Sequence, residues 1–165
     1  MCSSDLDEYL ALSTEEQSAR KNVGFFVGGP CEGGWRTARS IRERHLIVLD
    51  VDWATPALLA SILDGTNGLC RYEFVAYSTR KHTPEKPRIR VVLPLSKPVL
   101  PVAFTALSRI LASRLDPTMD SVDQVCFRLA QLMYFPSTCA GAEFWYHHNT
   151  GSFCDGEAVL ADFGN

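Results

Sequence analysis

His45-Leu46-Ile47-Val48-Leu49-Asp50-Val51-Asp52 is an apolar run that ends in two acids. Its length and lack of polar alternation predict a central strand over His45–Val51, buried on both faces. Asp50 and Asp52 stand two apart, so both side chains leave the same face of that strand. The rise per residue puts their Cα atoms roughly 6–7 Å apart. Two carboxylates at that distance repel unless something positive lies between them. Magnesium or manganese suits such a pair, because both take oxygen ligands. The apolar strand supplies the rigid support that a metal site needs. The competing reading is that Asp52 caps the next helix and Asp50 is a plain strand-end acid. Asp-x-Asp alone does not choose between them.

Outward from this strand, the pattern is one of strands mixed with helices. Thr55 as N-cap and Pro56 at the first helical position open a helix that should run to about Asp64 and stop at Gly65. Tyr72–Thr79 and Arg88–Leu95 read as a hairpin around a tip rich in Pro84, Lys86 and Pro87. Phe104, Leu107, Ile110 and Leu111 share one face of a helix over Val102–Arg114. Gln131–Phe135 and Glu143–His147 are late strands split by a turn at Pro136–Gly141, and Glu157–Asp162 is a short terminal helix. Upstream, Ser13 and Glu16 form the signature of a helix start, with the helix ending near Asn22. Gly24–Val27 is a short strand. Gly28-Gly29-Pro30 and Gly33-Gly34 frame a loop that lacks the spacing and lysine of a P-loop, so a plain loop is favoured over a phosphate cradle. The set points to an α+β fold with a mixed or antiparallel sheet.

Three further stretches carry candidate chemistry. Ser78-Thr79-Arg80-Lys81-His82 places a hydroxyl, two cations and an imidazole at a strand end. Arg88 and Arg90 alternate with Ile89 and Val91 on the partner strand, so both arginines share a face. Cations on neighbouring strand ends can clamp a triphosphate through charge-assisted hydrogen bonds; the alternative is a solvated basic hairpin tip, which fits Lys81 and Lys86 better than His82 and Arg90. Asp116-Pro117-Thr118-Met119-Asp120-Ser121-Val122-Asp123 holds three acids after a helix. One of them near Asp50 and Asp52 would complete a two-metal centre; otherwise they are capping aspartates in a polar loop. His147, His148 and Cys154 match no standard metal-ligand spacing and read as a surface strand end. Phe144, Trp145 and Tyr146 could stack bases, but half of such a strand is usually core.

Bulk charge says little: the net value of −3 over 165 residues does not announce a nucleic-acid binder. Its distribution says more, since ten of the sixteen lysines and arginines fall between positions 36 and 90, around the strand and hairpin just described. The chain length fits one domain. The six cysteines form no C-x-x-C pair, so no zinc knuckle is visible, and a reduced, cytoplasmic setting with most thiols buried is expected. No membrane association is expected. Met1-Cys2-Ser3-Ser4-Asp5-Leu6 looks like a translated sequencing-adapter oligonucleotide. This predicts a non-native leader over residues 1–6, ahead of a single domain over residues 7–165 that belongs to a longer replication protein.

In their order, these pieces resemble the archaeo-eukaryotic primase superfamily, and most closely the primase-polymerase domains of phage, prophage and plasmid replication proteins. The resemblance rests on Leu49-Asp50-Val51-Asp52, on the stretch from Tyr77 to Arg90, and on Asp120-Ser121-Val122-Asp123 followed by Gln131-Leu132-Met133-Tyr134-Phe135-Pro136-Ser137. It covers about residues 23–162. It implies an RRM-like catalytic sheet with an added small N-terminal α/β lobe. Asp50 and Asp52 map onto metal ligands, and His82 onto a histidine that contacts the phosphates of the incoming nucleotide. Asp123 maps onto the third acid, with Asp120 as the alternative. Arg80 stands where the short form of the motif has serine, so no role passes to Ser78. Gln131 stands where relatives often carry a nucleotide-binding arginine. The implied reaction is attack of a 3′-hydroxyl on an NTP or dNTP along a single-stranded DNA template, with magnesium or manganese as cofactor. Arg80, Arg88 and Arg90 are candidate phosphate or template contacts, and a helicase domain or subunit is an expected partner. A nucleotide- or DNA-binding module without catalysis and a metal-dependent nuclease are the rival readings. Asp50→Ala is expected to abolish synthesis with little loss of folding.

Overall fold

The computed structural model describes residue 8 and residues 11–19, 24–139 and 142–163. Ser13 opens helix α1 (Thr14–Ala19): its hydroxyl and amide both meet the Glu16 carboxylate, and the Glu16 amide donates to the Ser13 hydroxyl. The expected end of this helix near Asn22 and the predicted leader over residues 1–6 lie outside the described residues. Strand β1 (Phe25–Phe26) is followed by a loop with one 3-10 turn, Glu32–Gly34, and then by β2 (Arg44–Val51). Helix α2 (Pro56–Leu63) starts as expected, with the Thr55 hydroxyl accepting from the Leu58 amide, and ends before Gly65 at φ +66°.

The predicted hairpin is present as β3 (Phe74–Ser78) and β4 (Ile89–Val99), and β4 runs four residues past the expected Leu95. It does so because Val99 pairs back to Arg44 across a register shift between Arg44 and Leu46. Helix α3 (Pro101–Leu115) buries Phe104, Leu107, Ile110 and Leu111, the predicted stripe. The last elements are β5 (Met133–Tyr134), β6 (Tyr146–Asn149) and α4 (Gly156–Phe163), whose first turn is capped by the Asp155 carboxylate. Among the described residues no helix is long and apolar enough to cross a membrane.

The main sheet has the order β2-β4-β3-β6, and every pairing in it is antiparallel. The succession β2-α2-β3-β4-α3-β6 follows the βαββαβ chain order expected of an RRM-like sheet, with β6 on the β3 edge rather than beside β2. Strand alternation sends Ile47, Leu49 and Val51 of β2, Val91 and Leu93 of β4, and Phe74 and Ala76 of β3 to one face, where they join the α3 stripe in a single core. Asp50, Asp52, Arg88, Arg90 and Tyr77 leave the other face.

Several expectations need correction. The strand carrying the acids lies at the edge of the sheet rather than its centre. It is nevertheless buried, because loops cover its free edge: Asp123 N–H donates to the Asp50 carbonyl (2.8 Å), Trp53 N–H to that of Ser121 (3.2 Å) and Leu46 N–H to that of Gly28 (3.1 Å). Loop backbone thus replaces a neighbouring strand, and a sequence run reads the same in either case. The late strands also differ. Gln131–Phe135 shrinks to β5, which leaves the main sheet and pairs antiparallel with β1 in a two-stranded sheet. The small lobe is therefore built from both ends of the chain and is not purely N-terminal. The Glu143–His147 strand starts later, at Tyr146, and leaves Phe144 exposed. Of the described cysteines, Cys126 and Cys154 are buried, Cys31 and Cys139 half-buried and Cys70 exposed, so burial holds for two rather than for most.

The glycine loop has a packing role. The Gly28 carbonyl accepts from the His45 and Leu46 amides, and a Cβ added at Gly29 would run into the Glu43 carbonyl. The loop stays away from the acids and seals the start of β2. Gly29→Ala should lower stability by about 2 kcal/mol, the cost of overpacking against rigid backbone, read as a lower urea midpoint at unchanged slope.

Candidate active site

Strand register builds the site. Asp50 lies directly opposite Arg90 on β4, and Arg90 lies opposite Tyr77 on β3. One step further, beyond the Val51–Ile89 pair, Asp52 meets Arg88. Residues opposite one another in an antiparallel pair share a face and touch. The Arg90 guanidinium donates to Asp50 at 2.8 Å and to the Tyr134 carbonyl at 2.7 Å. Arg88 donates to Asp52 at 3.1 Å. The positive charge required between two close carboxylates is supplied within the chain, by the two arginines that alternate on the hairpin partner.

These side chains line a cleft of about 310 Å³. Asp50 and Asp52 form one wall. Arg80, Lys81, Arg88 and Arg90 come from the hairpin, and Gln131, Tyr134 and Ser137 come from the β5 segment. Four cations against two carboxylates leave the cleft positive, which suits a polyphosphate. Arg80 is buried, and its guanidinium reaches the Thr138 carbonyl at 3.4 Å, tying the hairpin to the far wall. Gln131 donates to the Leu132 carbonyl at 3.0 Å.

Burial pushes the Asp50 carboxyl above its ordinary range; Arg90 opposes this, and nearby Asp52 and Asp123 add to it. Its Oδ1 is buried and meets no hydrogen-bond donor among the described residues. A buried carboxylate oxygen with no donor, beside a second carboxylate, is an oxygen donor set that fits a hard divalent cation. Asp50 and Asp52 therefore fit magnesium or manganese. Beside them, burial pushes the Cys126 thiol up to about 12, so it remains protonated and supplies no thiolate.

The third acid is not gathered in. Asp123 is held against Asp50 through its backbone, but its carboxylate caps the 3-10 turn Gln124–Phe127 by accepting from the Val125 amide at 2.9 Å. Asp120 is exposed, with its amide donating to the Thr118 hydroxyl. Among the described residues no three His, Cys, Asp or Glu side chains converge as metal ligands. That includes His147, His148 and Cys154: His148 meets Glu73 and Cys154 is buried.

His82 is placed differently from the expectation of a phosphate contact. It is buried outside the cleft, with Nδ1 near the Arg88 amide (3.1 Å) and Nε2 near the Trp145 indole N–H (3.0 Å). Ser78 holds Trp145 in turn, accepting from its amide at 3.0 Å. The long middle motif thus runs as a chain of contacts from Ser78 through Trp145 and His82 to the backbone of Arg88, and from the Arg88 side chain to Asp52. His82 positions Arg88. A neutral imidazole can accept at one nitrogen only, and an imidazolium at neither. Burial, opposed by Glu143, lowers the His82 pKa from its ordinary value. In the window between that lowered value and the unfolded value, the unfolded chain binds more protons, so stability falls as pH drops. We expect the urea midpoint to decline below about pH 6.5, with a flatter profile in His82→Gln. Equal slopes between pH 7 and 5 would contradict this assignment.

Sequence reasoning missed Tyr77, Thr79 and Tyr134 as cleft residues. Tyr77 was hidden in an apolar strand, and Tyr134 reaches the site only because β5 leaves the main sheet.

The site is thus a βαββαβ sheet with an acid pair ending its first strand and a cationic hairpin facing it. The structure is similar to the AEP domain of the cyanophage S-2L primase-polymerase, with a TM-score of 0.57 over 91% of this chain and 76% of that one, at 18% identity. At that identity the likeness is one of fold. The sequence model of the VapE N-terminal domain family matches residues 2–165, and the chain belongs to that family. No curated protein matches it in sequence. Family and fold together bear out the archaeo-eukaryotic primase resemblance.

Proposed function

We propose that this domain is a DNA-dependent nucleotidyltransferase of phage or plasmid replication, a primase or polymerase that transfers a nucleotide from an NTP or dNTP to a 3′-hydroxyl. One observation carries the reading: a cleft in which an acid pair with an unsatisfied buried oxygen faces four cations, on the fold of a primase-polymerase domain. Magnesium or manganese, when bound by Asp50 and Asp52, supplies charge that lowers the pKa of the attacking hydroxyl and neutralises the phosphates. Arg80, Lys81 and Arg88 line the side of the cleft where a triphosphate would be held. Arg90 fixes Asp50 and joins the main sheet to the β5 wall. A single-stranded DNA template and a helicase partner, in the same chain or as another subunit, complete the proposal.

One observation favours the binding-module alternative: both acids are ion-paired and no third acid converges among the described residues. Extension of a labelled primer on single-stranded DNA, with manganese and dNTPs, separates the readings. Template-dependent extension is the expected result. Binding without extension would leave the module, and cleavage of the DNA in the absence of nucleotides would replace both with a nuclease.

A further inference from the structure

The two ion pairs of the cleft are unequal. The Arg90 side chain is 10% exposed and holds two acceptors, Asp50 and the Tyr134 carbonyl. The Arg88 side chain is 33% exposed and donates at 3.1 Å to Asp52, itself 25% exposed. The Arg88 backbone is pinned at both ends, its amide to His82 and its carbonyl to the Thr79 amide at 2.9 Å. The guanidinium can therefore swing about its own side-chain bonds while the strand stays still. A partly exposed ion pair of this kind contributes little stability and is readily exchanged. Released from Asp52, Arg88 would present a planar fork of donors inside a cleft already lined by Arg80 and Lys81, and that fork matches phosphate oxygens.

We propose that Arg88 and a divalent cation are alternative partners of Asp52, so that metal binding hands the Arg88 guanidinium to the triphosphate and the two ligands bind cooperatively. Arg90 takes no part in the exchange and stays as the fixed cation of Asp50. This rests on the nucleotidyl-transfer reading and extends it to the order in which the site is assembled. His82 gains its purpose here, since it sets the pivot from which Arg88 turns.

Calorimetric titration of the full chain with α,β-methylene-dATP, with and without manganese, tests the exchange. The wild type should bind the analogue about tenfold or more tightly when manganese is present, a usual size for coupling between two ligands. Asp52→Asn should bind it more tightly than the wild type without manganese, because Arg88 is already released, and manganese should then add little. Arg88→Gln should lose the manganese-induced gain while binding manganese alone at least as tightly as the wild type. Both variants are to be compared at matched thermal stability. The exchange is overturned if Asp52→Asn binds the analogue no better than the wild type without manganese, or if Arg88→Gln weakens manganese binding. If no protein binds the analogue under either condition, the nucleotidyl-transfer reading falls with it.

Discussion

Asp50→Asn is expected to cut nucleotide addition by on the order of a thousandfold, the effect of losing one charge-stabilising group from a preorganised site, while the protein stays folded. The choice of asparagine follows from the structure. From sequence alone Asp50→Ala should spare the fold, but Asp50 neutralises an Arg90 side chain that is only 10% exposed. Alanine would leave that guanidinium buried without its acid, at about 3–5 kcal/mol. Asparagine keeps an oxygen that can accept from Arg90 and removes the charge that a metal needs. Primer-extension rates together with a circular-dichroism melt check both halves: a large loss of rate with a small shift in melting. Wild-type rates in a folded Asp50→Asn protein would remove Asp50 from the chemistry.

Arg90→Met should be strongly destabilising, by about 3 kcal/mol, or a melting point lower by roughly 6–12 °C for a chain of this size. Methionine replaces the length of the side chain and none of its donors. It strands the Asp50 carboxylate, already raised in pKa by burial, and frees the Tyr134 carbonyl that ties β5 to the main sheet. The sign of the pH dependence follows. With Arg90 gone, the folded pKa of Asp50 rises further above its unfolded value, so the penalty is largest where Asp50 must be charged and shrinks as pH falls. Melting of Arg90→Met and wild type from pH 8 to 5 should show the gap narrowing toward acid. Faster amide exchange at Phe26 and Met133, which pair between β1 and β5, should accompany it. A gap that widens toward acid would show that the loss does not run through Asp50.

What was legible in the sequence was local. The apolar run into Asp50, the Thr55 cap, the α3 stripe and the hairpin all follow from periodicity and capping, and the structure has each of them. The shared face of Asp50 and Asp52, and of Arg88 and Arg90, follows from strand alternation, but their meeting depends on register between strands 40 residues apart. No single stretch encodes that register. For the same reason the compensating charge was expected from a metal, when arginines on the facing strand already provide part of it. His82 was read for the chemistry of its ring, yet its neighbours Trp145 and the Arg88 amide come from distant segments and turn it into a support. Gln131–Phe135 reads as a strand, but the two residues that pair as β5 do not say which partner they pair with.

Under the proposed function, Asp50 and Asp52 would hold a divalent cation in the wall of the cleft. That claim is tested most directly by titrating manganese into the protein and following the free ion by electron paramagnetic resonance. Wild-type protein should remove manganese from solution with saturable stoichiometry, and Asp50→Asn, equally folded, should not. Equal manganese binding by the two proteins would contradict the claim.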